Sequence, residues 1–272
     1  MESGVQRFSL VPLFLLVTVF SVLAPLFWTH VESPGAGAAT AGHENVELYG
    51  RVVPTLTYGF GRLRSGEWPL WASSQYCGMP YFANPTHGML QPLNLLFLFV
   101  PVHTGLALHA FLGLLLMGLF SALFLRALGA GYIAAALGGM VYAFCGASAA
   151  SMSHPELLGV LAWTPLLYWI IYEHTSRPRG IYIVVGGLVM AFMVLAGTPL
   201  FALLLAGGAF AYGGAGALWH RRSNDTPVFR RLCMLALMAL LGVTLSSVQW
   251  VPYVAWLTTL AHPTEALWPW SW

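Results

Sequence analysis

Long apolar runs, broken at intervals by short clusters of Gly, Pro, His and Arg, make up most of this chain. A helix that crosses a bilayer needs about 20 mostly apolar residues, because no backbone polar group can go unpaired in lipid. That requirement predicts spans near residues 8–28, 103–126, 131–151, 155–173, 180–197, 199–218 and 232–257. The breaks between them carry turn chemistry: Gly129-Ala130-Gly131, Ser153-His154-Pro155, Arg177-Pro178-Arg179-Gly180, Gly197-Thr198-Pro199 and the polar run from His220 to Arg231. The first run follows Arg7 and lacks a small-residue cleavage site directly after it, so it reads as an uncleaved anchor rather than a signal peptide. The expected fold is all-α, a polytopic helical membrane protein of about seven transmembrane helices, with residues 1–272 forming a single transmembrane domain.

The stretch 29–102 breaks this pattern and reads as a large first loop. Its part from 43 to 101 carries Glu44, Glu47, Arg51, Arg62, Arg64, Glu67, His43 and His87 among aromatic and turn-forming residues. Leu48, Val52, Leu56, Phe60 and Leu63 recur at helical spacing, which predicts an amphipathic helix over 46–64 lying on the membrane surface. Glu47, Arg51, Thr55, Tyr58 and Arg62 would form its polar face, and Pro54 marks either a kink or a first turn. Residues 89–101 are apolar but too short to cross, and Pro92 interrupts them, so they read as a re-entrant or interfacial segment. Residues 131–151 are rich in Gly, Ala and Ser, which suits close helix packing.

Composition sharpens the class. Hydrophobic residues are 58% of the chain and charged residues 7%, against roughly a quarter charged in a soluble domain, which excludes a soluble protein. The net charge of +2 gives no footprint for nucleic acid. Cys77, Cys145 and Cys233 show no metal-binding or paired spacing. There is no lysine, and the arginines orient the chain. With a cytoplasmic N-terminus, Arg7, Arg126, Arg177, Arg179, Arg221, Arg222, Arg230 and Arg231 fall inside and only Arg51, Arg62 and Arg64 outside. The first loop and the C-terminal tail are then external. The cluster Trp268-Pro269-Trp270-Ser271-Trp272 fits an interface belt and reads equally as the opening of another external loop of a longer protein.

Glu47 and Arg51 stand one helical turn apart. Such a pair is either a solvated ion pair worth a few tenths of a kcal/mol or a general base oriented by an arginine that also binds phosphate. Spacing alone favours the first. Trp68 and Trp71 read as interface anchors, and Arg62 and Arg64 as lipid-headgroup contacts. His154 reads as a helix-boundary residue or a substrate contact, and Glu156 sits at the edge of a span where it can reach water. Gln249 reads as an interhelical hydrogen bond.

Taken in order, several short motifs resemble the first external loop and following helices of the YfhO-like bacterial membrane proteins and their relatives in the GT-C glycosyltransferase superfamily. They are Glu47 with Pro54, Gly66/Pro69/Trp71, Gly78/Pro80, Pro92/Leu93/Asn94, His154-Pro155 with Trp163-Thr164-Pro165-Leu166, Gly197-Thr198-Pro199, and Gln249-Trp250-Val251-Pro252. The resemblance spans nearly the whole chain. It departs at Glu47, where the family usually has aspartate; the one Asp here, Asp225, lies in a cytoplasmic loop.

The resemblance implies a GT-C-like fold and transfer of a sugar from a polyprenyl-phosphate donor to an acceptor at the outer face of the bacterial inner membrane. Glu47, with Glu44 as the alternative, would be the catalytic base that deprotonates the acceptor hydroxyl. Arg51, Arg62, Arg64, Trp71, Tyr76 and His154 would contact substrate. Membrane lipid and the polyprenyl-phosphate-linked sugar are the expected partners, without nucleic acid. No cofactor is expected, and a Glu44/Glu47/His43 metal site falls short in ligand count. Two other classes stay open: a transporter or lipid flippase, and a non-catalytic membrane assembly protein.

Overall fold

The computed structural model describes residues 48–219 and 227–261, apart from Ser74, Tyr76 and Cys77, with no side chains for 259–261. The expected first span, 8–28, lies outside the described residues. The described chain opens with a π-helical turn, Leu48–Val52, that runs into α1, Val53–Arg64. Pro54 sits in the first turn of α1, directly after the π-helical turn, and as it has no N–H it cannot carry that turn's hydrogen-bond pattern further. Of the two readings of Pro54, the helix start is the one observed.

Leu48, Val52, Leu56 and Phe60 bury their side chains against Tyr81, Met89, Phe97, Val102 and Leu106. The apolar stripe of this helix therefore packs on protein. Thr55, expected on the polar face, is buried. The reason is Tyr81, whose hydroxyl donates to the Thr55 carbonyl at 2.7 Å and whose ring occupies the space that a Cβ at Gly59 would need.

A short antiparallel hairpin follows, β1 (Trp71–Ala72) with β2 (Met79–Pro80). Next come two 3-10 helices, Pro85–His87 and Pro92–Leu98. The second, within the expected re-entrant segment, is seven residues long. Arg64 anchors it, donating to the carbonyls of Phe97 (2.8 Å), Leu98 (3.1 Å) and Val100 (2.5 Å).

The rest is a helical bundle. It comprises α2 (Val102–Ala127), α3 (Tyr132–Ala143), the short α4 (Gly146–Ala150), α5 (Pro155–Ser176), α6 (Gly180–Val194), α7 (Pro199–Trp219) and α8 (Val228–Ala261). Among the described residues four helices, α2, α5, α7 and α8, are long and apolar enough to cross a membrane. The α3–α4 unit brings this to five if it counts as one bent span. It was expected as one continuous helix, yet it bends by 41° at Phe144-Cys145, where the backbone leaves helical geometry. The segment expected to span at 180–197 ends as a helix at Val194. The fold is thus that of an all-α, apolar, multi-helix membrane protein with one two-residue-stranded hairpin among the described residues.

α5 is the central helix, packed against α2, α6 and α7, while α8 packs mainly on α6. Small residues set these distances. A Cβ at Gly139 would collide with the Gly118 carbonyl oxygen, so α3 and α2 meet backbone to backbone. The alternation of helix directions puts the start of α2, the start of α5, the α6–α7 turn and the later part of α8 at the loop end of the bundle. Gln249 of α8 joins them there, donating to the Phe82 carbonyl at 2.7 Å. Arg126, Arg177, Arg179, Arg230 and Arg231 lie at helix ends on the opposite side.

Gly139→Val is expected to lower stability by about 1–3 kcal/mol through overpacking of the α2–α3 contact. Gly131→Ala, which meets open space, is expected to leave the thermal midpoint of the detergent-solubilised protein unchanged; comparing the two midpoints checks the account.

Candidate functional site

At the loop end, α5 begins with Pro155 and carries Glu156 in its first turn. The unpaired N–H groups there favour a negative charge. Glu156 is nonetheless only 7% exposed and accepts from the Arg51 guanidinium, Nη2 to Oε1, at 2.7 Å. His154 stands just before the helix, its Nδ1 3.9 Å from the same oxygen. A close backbone junction sets this position. Gly197, in the α6–α7 turn with φ +126°, lies where a Cβ would come within 2.8 Å of the Glu156 Cβ and 3.1 Å of the Pro85 carbonyl oxygen. Gly88 (φ +54°) plays the same part between Asn94 and the Ala196 carbonyl. Only glycine accepts these backbone angles and these approaches.

The junction leaves a small, partly open recess with room for about one water molecule, lined by Arg51, Val52, Thr55, Leu56, Thr86, His87, Asn94, Pro155 and Glu156. His87 is fixed within it. Its Nδ1 lies 2.8 Å from the Tyr81 carbonyl, and its ring stacks on the Tyr81 ring with centroids 4.0 Å apart. A carbonyl oxygen only accepts, so Nδ1 carries the proton and Nε2 presents a lone pair. Burial lowers the His87 pKa to about 4, helped by the Arg51 charge and against the backbone hydrogen bond. The imidazole is therefore neutral at physiological pH.

Asn94 is 2% exposed. Its backbone N–H donates to the Gln91 side chain at 2.8 Å and its Nδ2 to the Gly88 carbonyl at 2.9 Å. Its Oδ1 is buried without a protein partner, as is Gln91 Nε2.

Of the residues singled out in the sequence, Arg51 and His154 come together, and what joins them is Glu156. Arg62 forms an exposed ion pair with Glu67 at 2.9 Å. Arg64 is committed to the carbonyls after α1. Trp71 is an exposed strand residue packed over Gly78. None of these three lines the recess. Glu44, Glu47 and Tyr76 lie outside the described residues. His87, Asn94 and Thr55 were not foreseen as a site; each alone is an ordinary polar residue in an aromatic loop. The sequence signal for Glu156 was an acid directly after His-Pro at a helix start, but its partner lies 105 residues away. Among the described residues there is no group of three or more His, Cys, Asp or Glu placed to hold a metal ion.

No family model, no curated protein and no solved structure matches the chain.

Two measurements check this geometry. Arg51→Met leaves Glu156 without its cation and is expected to cost about 1–3 kcal/mol. That is discounted from the fully buried case because the Arg51 side chain is 38% exposed. The double variant with Glu156→Leu should recover part of the loss in thermal unfolding. For His87, the folded pKa lies below the unfolded value of about 6.5, so as pH falls from 6.5 to about 4 the unfolded state binds more protons. Stability from this group is full above 6.5 and declines by up to about 3 kcal/mol on acidification. His87→Gln should flatten the unfolding midpoint across that window.

Proposed function

We propose that this protein is a membrane glycosyltransferase of GT-C type, moving a sugar from a polyprenyl-phosphate donor to a hydroxyl acceptor at the outer face of the bacterial inner membrane. The observation that carries the reading is the packing of the polar first loop, with Arg62 and Trp71 exposed on it, onto one end of the apolar helical bundle. The polar first loop folds onto one end of an apolar helical bundle and, with Glu156, builds a charged recess there. The motif order that resembles the YfhO-like proteins runs through the same segments. The reading includes seven spans, with the anchor near 8–28 as the first. It places the N-terminus in the cytoplasm, supported by the arginines gathered at the bundle end away from the recess.

In this mechanism a carboxylate takes the proton of the acceptor hydroxyl, and the oxygen attacks the anomeric carbon as the bond from that carbon to the lipid phosphate breaks. A single in-line displacement inverts the anomeric centre, by analogy with inverting glycosidases. Glu47 is the assigned base, with Glu44 as the alternative. The leaving phosphate carries away the negative charge and needs a cation. Arg62 is the external arginine best suited, because its exposed pair with Glu67 is weak and exchanges readily. Arg51 is engaged by Glu156, and Arg64 holds the loop. The exposed face of Trp71 offers a surface for a sugar ring.

A second reading, a lipid or solute transporter, draws on the bend between α3 and α4, since transporters use broken helices at their sites.

Transfer of labelled sugar from polyprenyl-phosphate donors in membranes carrying the full-length protein separates these. Glu47→Gln is expected to lower transfer by about 10²-fold or more with insertion intact. Transfer unaffected by that change assigns the base to Glu44. Absence of transfer from every donor, together with protein-dependent movement of lipid-linked sugar across vesicles, supports the transporter.

A further inference from the structure

The amphipathic period of 46–64 predicts that this helix is the part of the loop lying on the membrane, yet its apolar stripe is spent on Tyr81, Met89, Phe97, Val102 and Leu106. Large apolar side chains stay uncovered just after it. In the segment leading into β1, Trp68 is 59% exposed and Leu70 62%. Grouped apolar side chains left uncovered mark a surface that meets lipid or another protein.

Depth decides between them. Trp68 packs edge-on against Phe82, ring centroids 6.0 Å apart, and the Phe82 carbonyl accepts from Gln249 of α8 at 2.7 Å. Gln249 lies about 27 Å along α8 from Arg231 at the helical rise of about 1.5 Å per residue. The hydrocarbon core of a bilayer is about 30 Å thick. α5 gives the same level, since Glu156 stands about 32 Å along it from Arg177. With the arginines at one face of the core, the base of the loop reaches the boundary between hydrocarbon and headgroups at the other. Val248, Val251 and Val254 of α8 are exposed near that level, so the helix that holds the hairpin faces lipid there.

The segment is also fixed in place. The Leu70 carbonyl accepts from the Tyr81 N–H at 2.9 Å, and the Tyr58 hydroxyl donates to the Trp71 carbonyl at 2.7 Å. Directly before it, Arg62 and Glu67 form an exposed ion pair, which suits the headgroup layer. We propose that Trp68 and Leu70 are a lipid anchor, inserted at the hydrocarbon–headgroup boundary of the leaflet at the loop end. The indole of Trp68 places its apolar body among the acyl chains and its N–H toward the headgroups. Trp71 is outside the anchor, its ring lying back across Gly78. The anchor holds the loop at one depth whether the protein transfers sugar or moves lipid.

The full-length protein, carrying a benzophenone amino acid in place of Leu70, Thr57 or Val243, is irradiated in phosphatidylcholine nanodiscs and its lipid adducts are counted by mass spectrometry. Val243 is exposed in the α8 span and marks lipid. Thr57 is exposed on α1, away from the apolar stripe, and marks water. Leu70 is expected to give adducts within about threefold of Val243 and about tenfold above Thr57. A yield at Leu70 closer to that at Thr57, or cross-linking to a second polypeptide in place of lipid, overturns the anchor. If the Leu70 variant does not fold, wild type and Trp68→Phe are compared in nanodiscs of lipid brominated near the headgroup end of the chains. The emission that Trp68→Phe removes is expected to be quenched by about half or more in the wild type, and its escape from quenching overturns the anchor.

Discussion

A carboxylate shut in at the start of a helix must be neutralised, and at Glu156 the neutralising group comes from a different part of the chain. The α5 N-terminus supplies partial positive charge, but a nearly buried anion needs a full cation and a hydrogen bond as well. Arg51 provides both. The contact therefore ties the segment before α1 to the central helix of the bundle. Remove it and the loop loses one of its anchors.

The other anchors follow the same rule, that a polar group leaving water must find a partner. Arg64 satisfies the carbonyls left open as the chain turns from the 3-10 helix into α2. Tyr81 bonds the Thr55 carbonyl, and Gln249 reaches the Phe82 carbonyl across 167 residues. Each joins an irregular backbone to a side chain that sequence-local structure could not supply. Together they hold a Gly- and Pro-rich segment whose own secondary structure is limited to a two-residue-stranded hairpin and two short 3-10 helices.

Glycine has two uses here. At Gly139 the absence of a side chain lets two helices touch, which in lipid, where apolar contact has no hydrophobic drive, is the main source of helix–helix attraction. At Gly88 and Gly197 it permits backbone angles and approaches that bring three segments to one point. The recess exists because those segments meet there and because His87 and Asn94 face it in one protonation and rotamer state each.

Much of the architecture was legible in the sequence because membrane solvation leaves few choices. Apolar length specifies helices, Gly and Pro specify their breaks, and the predicted spans from 103 onward coincide closely with α2, α5 and α7. The bend at Phe144-Cys145 was not legible, since a run of small apolar residues suits a straight helix and a broken one equally. The helix over 48–64 was legible from its period, but Thr55 was misassigned because its burial comes from Tyr81, a residue of a later hairpin. The arginines could be listed, and local spacing paired Arg51 with Glu47. Only the tertiary structure brought Arg51 to Glu156, gave Arg64 to three carbonyls and left Arg62 exposed. The physical reason is range: hydropathy and helical period are read within a few turns of chain, whereas the partner of a buried charge is decided by which helix ends the packing brings together.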